Sequence, residues 1–132
     1  MIRHLTATGL TSTSNIKLFP NPGYRWRILS IEGFLVAGAT SGTRYLALYL
    51  LPFQTTSGAG LLLAYTGSQT GVSQTYICSL VGSSYPSSLT SNGYIRYSDI
   101  YADASAPILI TPTIVSGDTY GYDIQVLEEP DI

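Results

Sequence analysis

A chain of 132 residues that is 45% hydrophobic but only 11% charged, with a formal net charge of −2, has room for one domain with one core and must build its polar surface from Ser, Thr and Gly. No apolar run approaches the ~20 residues a bilayer span needs. The first ten residues lack the apolar stretch of a signal peptide, and six scattered cations without a Lys/Arg cluster argue against nucleic-acid binding.

In chain order, residues 1–14 are polar, Thr-rich and without a clear period, which predicts an N-terminal arm carrying the single histidine, His4, as a solvated or interface residue. Residues 15–19 predict a short edge strand, closed by the turn Pro20, Asn21, Pro22, Gly23. Residues 24–37 predict the first long strand. Trp26 and Ile28 share one face, but Ile31, Leu35 and Ala37 fall on the other parity, so a bulge over residues 30–33 is expected to reconcile the halves. Residues 43–53 are apolar on both faces, with Tyr45, Ala47, Tyr49 and Leu51 on one and Leu46, Leu48 and Leu50 on the other. That predicts a central strand covered twice, the second cover being open to another subunit.

Residues 61–66, 73–81 and 94–100 predict shorter strands. The lone Cys78 excludes an internal disulfide and is expected as a buried, inert thiol. Residues 108–115 predict a strand in which Pro112, unable to donate to a ladder, marks an edge or a bulge. Residues 119–127 alternate most cleanly, with Tyr120, Tyr122, Ile124 and Val126 inward, and residues 128–132 end the chain as an acidic tail. Seven or eight strands punctuated by Gly, Pro, Asn and Ser turns predict an all-β, antiparallel β-sandwich over residues 15–127, jelly-roll-like because the paired cysteines of an immunoglobulin domain are lacking.

Charge is unevenly distributed. Residues 1–98 carry all six cations and one acid, Glu32, for a net +5, whereas residues 99–132 carry the other seven acids and no cation, for −7. Either copies pair head to tail through these halves, or strands from the two halves interleave and the asymmetry vanishes in the fold.

The reactive residues of the sequence predict no enzyme. No Gly-x-Ser-x-Gly elbow accompanies His4, and one His and one Cys do not assemble a zinc site. Asp99 and Asp103 are the candidates for supplying oxygens to calcium, but the spacing lacks the other ligands and the glycine of an EF-hand. Solvated loop acids, with no metal and no cofactor, are therefore the expected reading. The carboxylate pair Asp118 and Asp123 is read in the same way. Among eleven tyrosines, Tyr45, Tyr49, Tyr120 and Tyr122 are expected in the core, and Tyr65, Tyr76, Tyr85, Tyr94, Tyr97 and Tyr101 near turns as contact residues.

The segments PGYRWRILSI at residues 22–31 and ATSGTRYLAL at residues 39–48 resemble a pattern in small virion-associated proteins of tailed bacteriophages. There a Pro/Gly turn leads into an aromatic strand, and a second strand opens with Gly-x-Arg. The resemblance spans about 30 residues. It implies a β-sandwich decoration or minor capsid subunit, commonly a trimer, located in the virion after assembly in the host cytoplasm. It also implies as partners other copies of the chain, the major capsid protein and other virion proteins. Arg44, which opens the second strand, is expected to pair with a carboxylate or carbonyls at the sandwich edge. It joins Tyr65, Tyr85, Tyr94, Tyr97, Tyr101, Glu128 and Glu129 as interface candidates. The competing expectation is a carbohydrate- or receptor-binding module using turn-borne tyrosines.

Overall fold

Side-chain alternation around one shared core decides where the strands lie. A computed structural model of the chain describes residues 1–50, 61–79 and 101–131. Among them are nine strands and no helix: β1 (Ile2–Leu10), β2 (Ile16–Leu18), β3 (Tyr24–Val36), β4 (Tyr45–Leu50), β5 (Leu61–Tyr65), β6 (Thr75–Ser79), β7 (Tyr101–Ala102), β8 (Ile108–Thr113) and β9 (Thr119–Pro130). They form two antiparallel sheets packed as a sandwich. The first has the order β1-β9-β3-β6, with the two-residue β7 also on β3, and the second has the order β2-β8-β4-β5.

The pairs β1 with β9, β2 with β8, β3 with β6 and β4 with β5 are nested, first element with last and inward from there. Among the described residues, strands early in the chain thus lie antiparallel to strands late in it. This arrangement carries the N-terminal cations to the C-terminal acids. The interleaving alternative holds for three of the six cations, since Arg3 pairs with Glu128, Arg25 with Glu129 and Arg44 with Asp118, all within one chain.

Between the sheets, Trp26, Ile28, Ile31 and Leu35 of β3 and Tyr120, Ile124 and Val126 of β9 face Leu46 and Leu48 of β4, Leu63 of β5 and Ile108 and Ile110 of β8. Each buried aliphatic side chain contributes roughly 1.5–3 kcal/mol relative to exposure. The inward pattern of β9 is the one its alternation predicts. In β3 the register shifts between Ile28 and Ser30, so the bulge lies just before the expected residues 30–33. Leu29 is the extra residue, and it points outward with Ser30 so that Ile28 and Ile31 can both face in.

Pro112 stands opposite Leu46, whose own N–H and C=O are engaged by Thr66 on the other side, so the proline nitrogen faces away from β4. On that side β2 has already ended, at the level of Ile110, and no ladder bond is lost. β2 is the predicted edge strand, and Cys78 is buried as predicted.

Two expectations at the chain ends are corrected. The arm over residues 1–14 is instead largely strand β1, paired along β9 from Ile2 to Ala7, with Leu5, Ala7 and Leu10 packed against the core. Gly9, at a φ of 65°, provides the left-handed kink where the register shifts beyond Ala7. The acidic tail over residues 128–132 is likewise ordered as far as Pro130 in β9, with Glu128 opposite Trp26 and Glu129 opposite Arg25. The expected strand over residues 94–100, and the parts of two others at residues 51–53 and 80–81, lie outside the described residues.

The two sheets approach closely at Gly33. A Cβ there would sit 2.9 Å from Cδ1 of Leu48, 3.0 Å from Sγ of Cys78 and 3.1 Å from Cδ2 of Leu46. Gly33→Val is expected to cost about 1–3 kcal/mol by overpacking. Adding Leu48→Ala should make the double variant less unstable than the two single losses combined, a coupling that denaturant titration of the four proteins reads directly.

Candidate functional site

Candidate side chains fall into a buried ion pair at one end of the sandwich, a polar network at the edge of the first sheet, and the two outer sheet faces. Arg44 and Asp118 are both fully enclosed. Arg44 Nε donates to Asp118 Oδ2 at 2.8 Å, while its two terminal nitrogens donate to the carbonyls of Gly71 and Thr40 at 2.6 and 2.5 Å. Asp118 also accepts from the amides of Gly38 and Val115. Burial raises the Asp118 pKa, but the Arg44 hydrogen bond, the two amides and the Arg44 charge outweigh it and hold the carboxyl below its ordinary range. The expected pairing of Arg44 with a carboxylate and carbonyls is therefore present, and its role as an interface residue is corrected, because 0% of it is exposed.

At the opposite end of β3, Glu128 Oε2 accepts from the Trp26 indole and from Arg3, each at 2.9 Å. These bonds, the Trp26 contribution first, lower the Glu128 pKa against a smaller effect of burial. Beside it on the outer face, Arg25 donates to Glu129 at 3.1 Å and lies 4.2 Å above the ring centre of Tyr101. The neighbouring Arg27 is opposite Tyr101 in the ladder, and its buried Nε has no hydrogen-bond partner. Glu128, Glu129 and Tyr101 are thus part-buried and engaged within the chain.

The outer face of the first sheet is apolar towards β6. Ile77, 67% exposed, lies directly opposite Phe34, and the exposed Val36 follows on β3. On the second sheet, Tyr45 and Tyr49 are not in the core, as expected from parity, but on the outer face, since Leu46 and Leu48 fill the core positions of β4. Tyr65 meets Tyr45 edge to face at 5.8 Å, and Ala47, opposite Tyr65 in the ladder, is buried. Of the other contact candidates, Tyr76 packs against the core, while Tyr85, Tyr94 and Tyr97 lie outside the described residues.

Among the described residues, chemically reactive groups are not gathered together. Burial pushes the Cys78 thiol up to about 12, which leaves it protonated at neutral pH. His4 sits on the exposed face of β1 opposite Gln125. Asp103 is engaged by Ser105, whose amide and hydroxyl donate to one carboxylate oxygen, and Asp99 lies outside the described residues. Among the described residues no three His, Cys, Asp or Glu side chains converge on a common point. A groove of about 310 Å³ is lined by Thr11, Thr13 and the turn from Ile114 to Thr119, and its one ionised side chain, Asp118, is already committed to Arg44.

Arg44→Met should destabilise the protein by about 3–5 kcal/mol, because it leaves a buried carboxylate without its counter-charge. Also replacing Asp118 with Leu should not restore stability, since the amides of Gly38 and Val115 then lose their acceptor. Chemical denaturation of the three proteins checks both statements. Asp118 and Glu128 both have depressed folded-state pKa values, so their stabilisation is complete above the ordinary values of 3.8 and 4.5 and is lost as pH falls through the lower folded values. The thermal midpoint should therefore hold steady near neutrality and drop in acid, and Glu128→Gln should be less stable at pH 7 but show a shallower acid loss. No protein-family model matches the chain, and no curated protein matches it in sequence.

Proposed function

We propose that this protein is a structural subunit that works by assembling with copies of itself and with neighbouring chains, of the decoration or minor capsid kind in a bacteriophage virion. The observation that carries the reading is the outer face of the first sheet, where Ile77, Phe34 and Val36 form an apolar strip on a protein with few surface charges. Such a strip gains by being covered, and a net charge of −2 does little to keep copies apart.

The nested strand order β1-β9-β3-β6 over β2-β8-β4-β5 supports the same reading, in which the sandwich is jelly-roll-like, an architecture found in capsid proteins as well as lectin domains. The likeness of residues 22–31 and 39–48 to virion-associated proteins points the same way. In this reading the major capsid protein and other virion proteins are the external partners, and the protein is located in the virion.

A second reading, a carbohydrate- or receptor-binding module, is favoured by the cluster of Tyr45, Tyr49 and Tyr65 on the outer face of the second sheet, since tyrosine rings present flat apolar surface with a polar tip. Sedimentation over a wide range of protein concentration separates the two. Concentration-dependent formation of a closed oligomer is expected, and Ile77→Glu should weaken binding to capsids that lack the protein. A chain that stays monomeric and does not bind such capsids contradicts the structural reading, and glycan binding lost on Tyr45→Ala would put the second in its place.

A further inference from the structure

We infer that the free edge of β1 is where one copy of the chain joins a second, by antiparallel strand pairing that continues the first sheet from copy to copy. The inference rests on the self-assembly part of the function proposed above and names the surface responsible. It begins from hydrogen-bond parity. The amide of Glu128 donates to the carbonyl of Met1 at 2.8 Å, and the Met1 nitrogen donates to the carbonyl of Glu128 at 3.1 Å, so these two residues exchange both bonds. In an antiparallel ladder such pairs alternate with pairs that exchange none. Arg3, Leu5 and Ala7 therefore spend their backbone groups on Val126, Ile124 and Tyr122, while Ile2, His4 and Thr6 turn their N–H and C=O away from β9.

No described strand lies on that side: β1 ends the order of the first sheet. Three residues thus offer six backbone groups in a straight row, with their side chains exposed on the outer face. Edge strands are ordinarily protected by being short, by Pro or Lys, or by a bulge that twists them away. At nine residues β1 is long for an edge strand, whereas the opposite edge, β6, has five residues and β2, an edge of the second sheet, has three. β1 contains neither Pro nor Lys, and its kink at Gly9 comes only after Ala7. Its one strong cation, Arg3, faces inward and is neutralised by Glu128.

The occupant that fits is a second β1. An antiparallel pair of identical strands is related by a two-fold axis, and every outward group then meets an outward group of the same row, with no Lys, Arg, Asp or Glu side chain among Ile2, His4 and Thr6 to oppose its own copy. Pairing covers the exposed Ile2 as well as the bare backbone. A contact about a two-fold axis joins copies in twos, so the smallest product is a dimer.

Thr6→Pro provides the test, because the nitrogen it blocks turns away from β9 and pairs with no described strand, so the β1–β9 ladder should survive. The variant should keep the wild-type thermal midpoint and lose at least tenfold in association by sedimentation, and Thr6→Lys should behave in the same direction. Lys17→Ala, on the short edge strand β2 of the second sheet and away from both β1 and the Ile77 strip, should associate like the wild type. In hydrogen exchange, the amides of Ile2, His4 and Thr6 should exchange fast in dilute protein and slow as concentration rises. Association that persists unchanged in Thr6→Pro, or that forms trimers without protecting these three amides, overturns the β1 edge as the contact while leaving self-assembly intact. A wild-type chain that stays monomeric at millimolar concentration overturns both, and leaves the edge to an extended segment of another protein.

Discussion

The two sheets are held in one relative position by the buried Arg44–Asp118 pair. The connections β3 to β4, β5 to β6 and β8 to β9 each pass from one sheet to the other, and all three come to this pair. Thr40 and Gly38 belong to the first connection, Gly71 to the second, and Val115 and Asp118 to the third. A hydrophobic core sets how much surface is buried but is indifferent to small sliding of one sheet over another. A guanidinium with directed bonds to a carboxylate and two carbonyls is not. The cost of taking two charges out of water is offset only because all three donor directions used by Arg44 and both carboxylate oxygens of Asp118 have partners.

At the other end of β3, the Glu128 contacts do for the chain ends what Arg44 does for the crossovers. Trp26, Arg3 and Glu128 tie β3, β1 and β9 together where the core opens to solvent, so the first and last strands act as a unit. Both devices follow from the nested pairing of the chain. A sequence with cations early and acids late neutralises itself when its ends are laid antiparallel, and what looked like a head-to-tail polarity becomes a set of internal staples. The outer faces left over for contact include apolar and aromatic stretches, Ile77 with Val36 on the first sheet and Tyr45 with Tyr65 on the second, beside the exposed acids Glu32 and Asp123.

Much of this was legible in the residues. The strict alternation of Tyr120, Tyr122, Ile124 and Val126 and the parity change within β3 each stated their structural consequence, and the all-β sandwich followed. Pro112 did not mark an edge strand or a bulge, because β8 lies between β2 and β4 with an unbroken register and the proline falls where β2 has already ended. β1 was not legible, because its inward positions are Arg3, Leu5 and Ala7, and a charged residue at an inward position erases the alternation unless its partner, 125 residues later, is known. The faces of β4 were hidden for the opposite reason: both are apolar, so parity alone did not tell that Leu46 and Leu48, rather than Tyr45 and Tyr49, fill the core. Arg44 shows what local sequence does and does not carry. Its need for a carboxylate was foreseeable, but its complete burial depends on three loops meeting, which is a property of the fold.

The most direct measurement is native-state hydrogen exchange of the amides of Gly38 and Val115, the two that donate to Asp118. If the ion pair fastens the crossovers to the core, both amides exchange only on global unfolding, with the same opening free energy and denaturant dependence as the ladder amides of Leu48 and Ile124. Exchange of Gly38 and Val115 through a low-energy local opening, with the core amides still protected, would show that the crossovers move independently of the sheets and contradict the central role given to this pair.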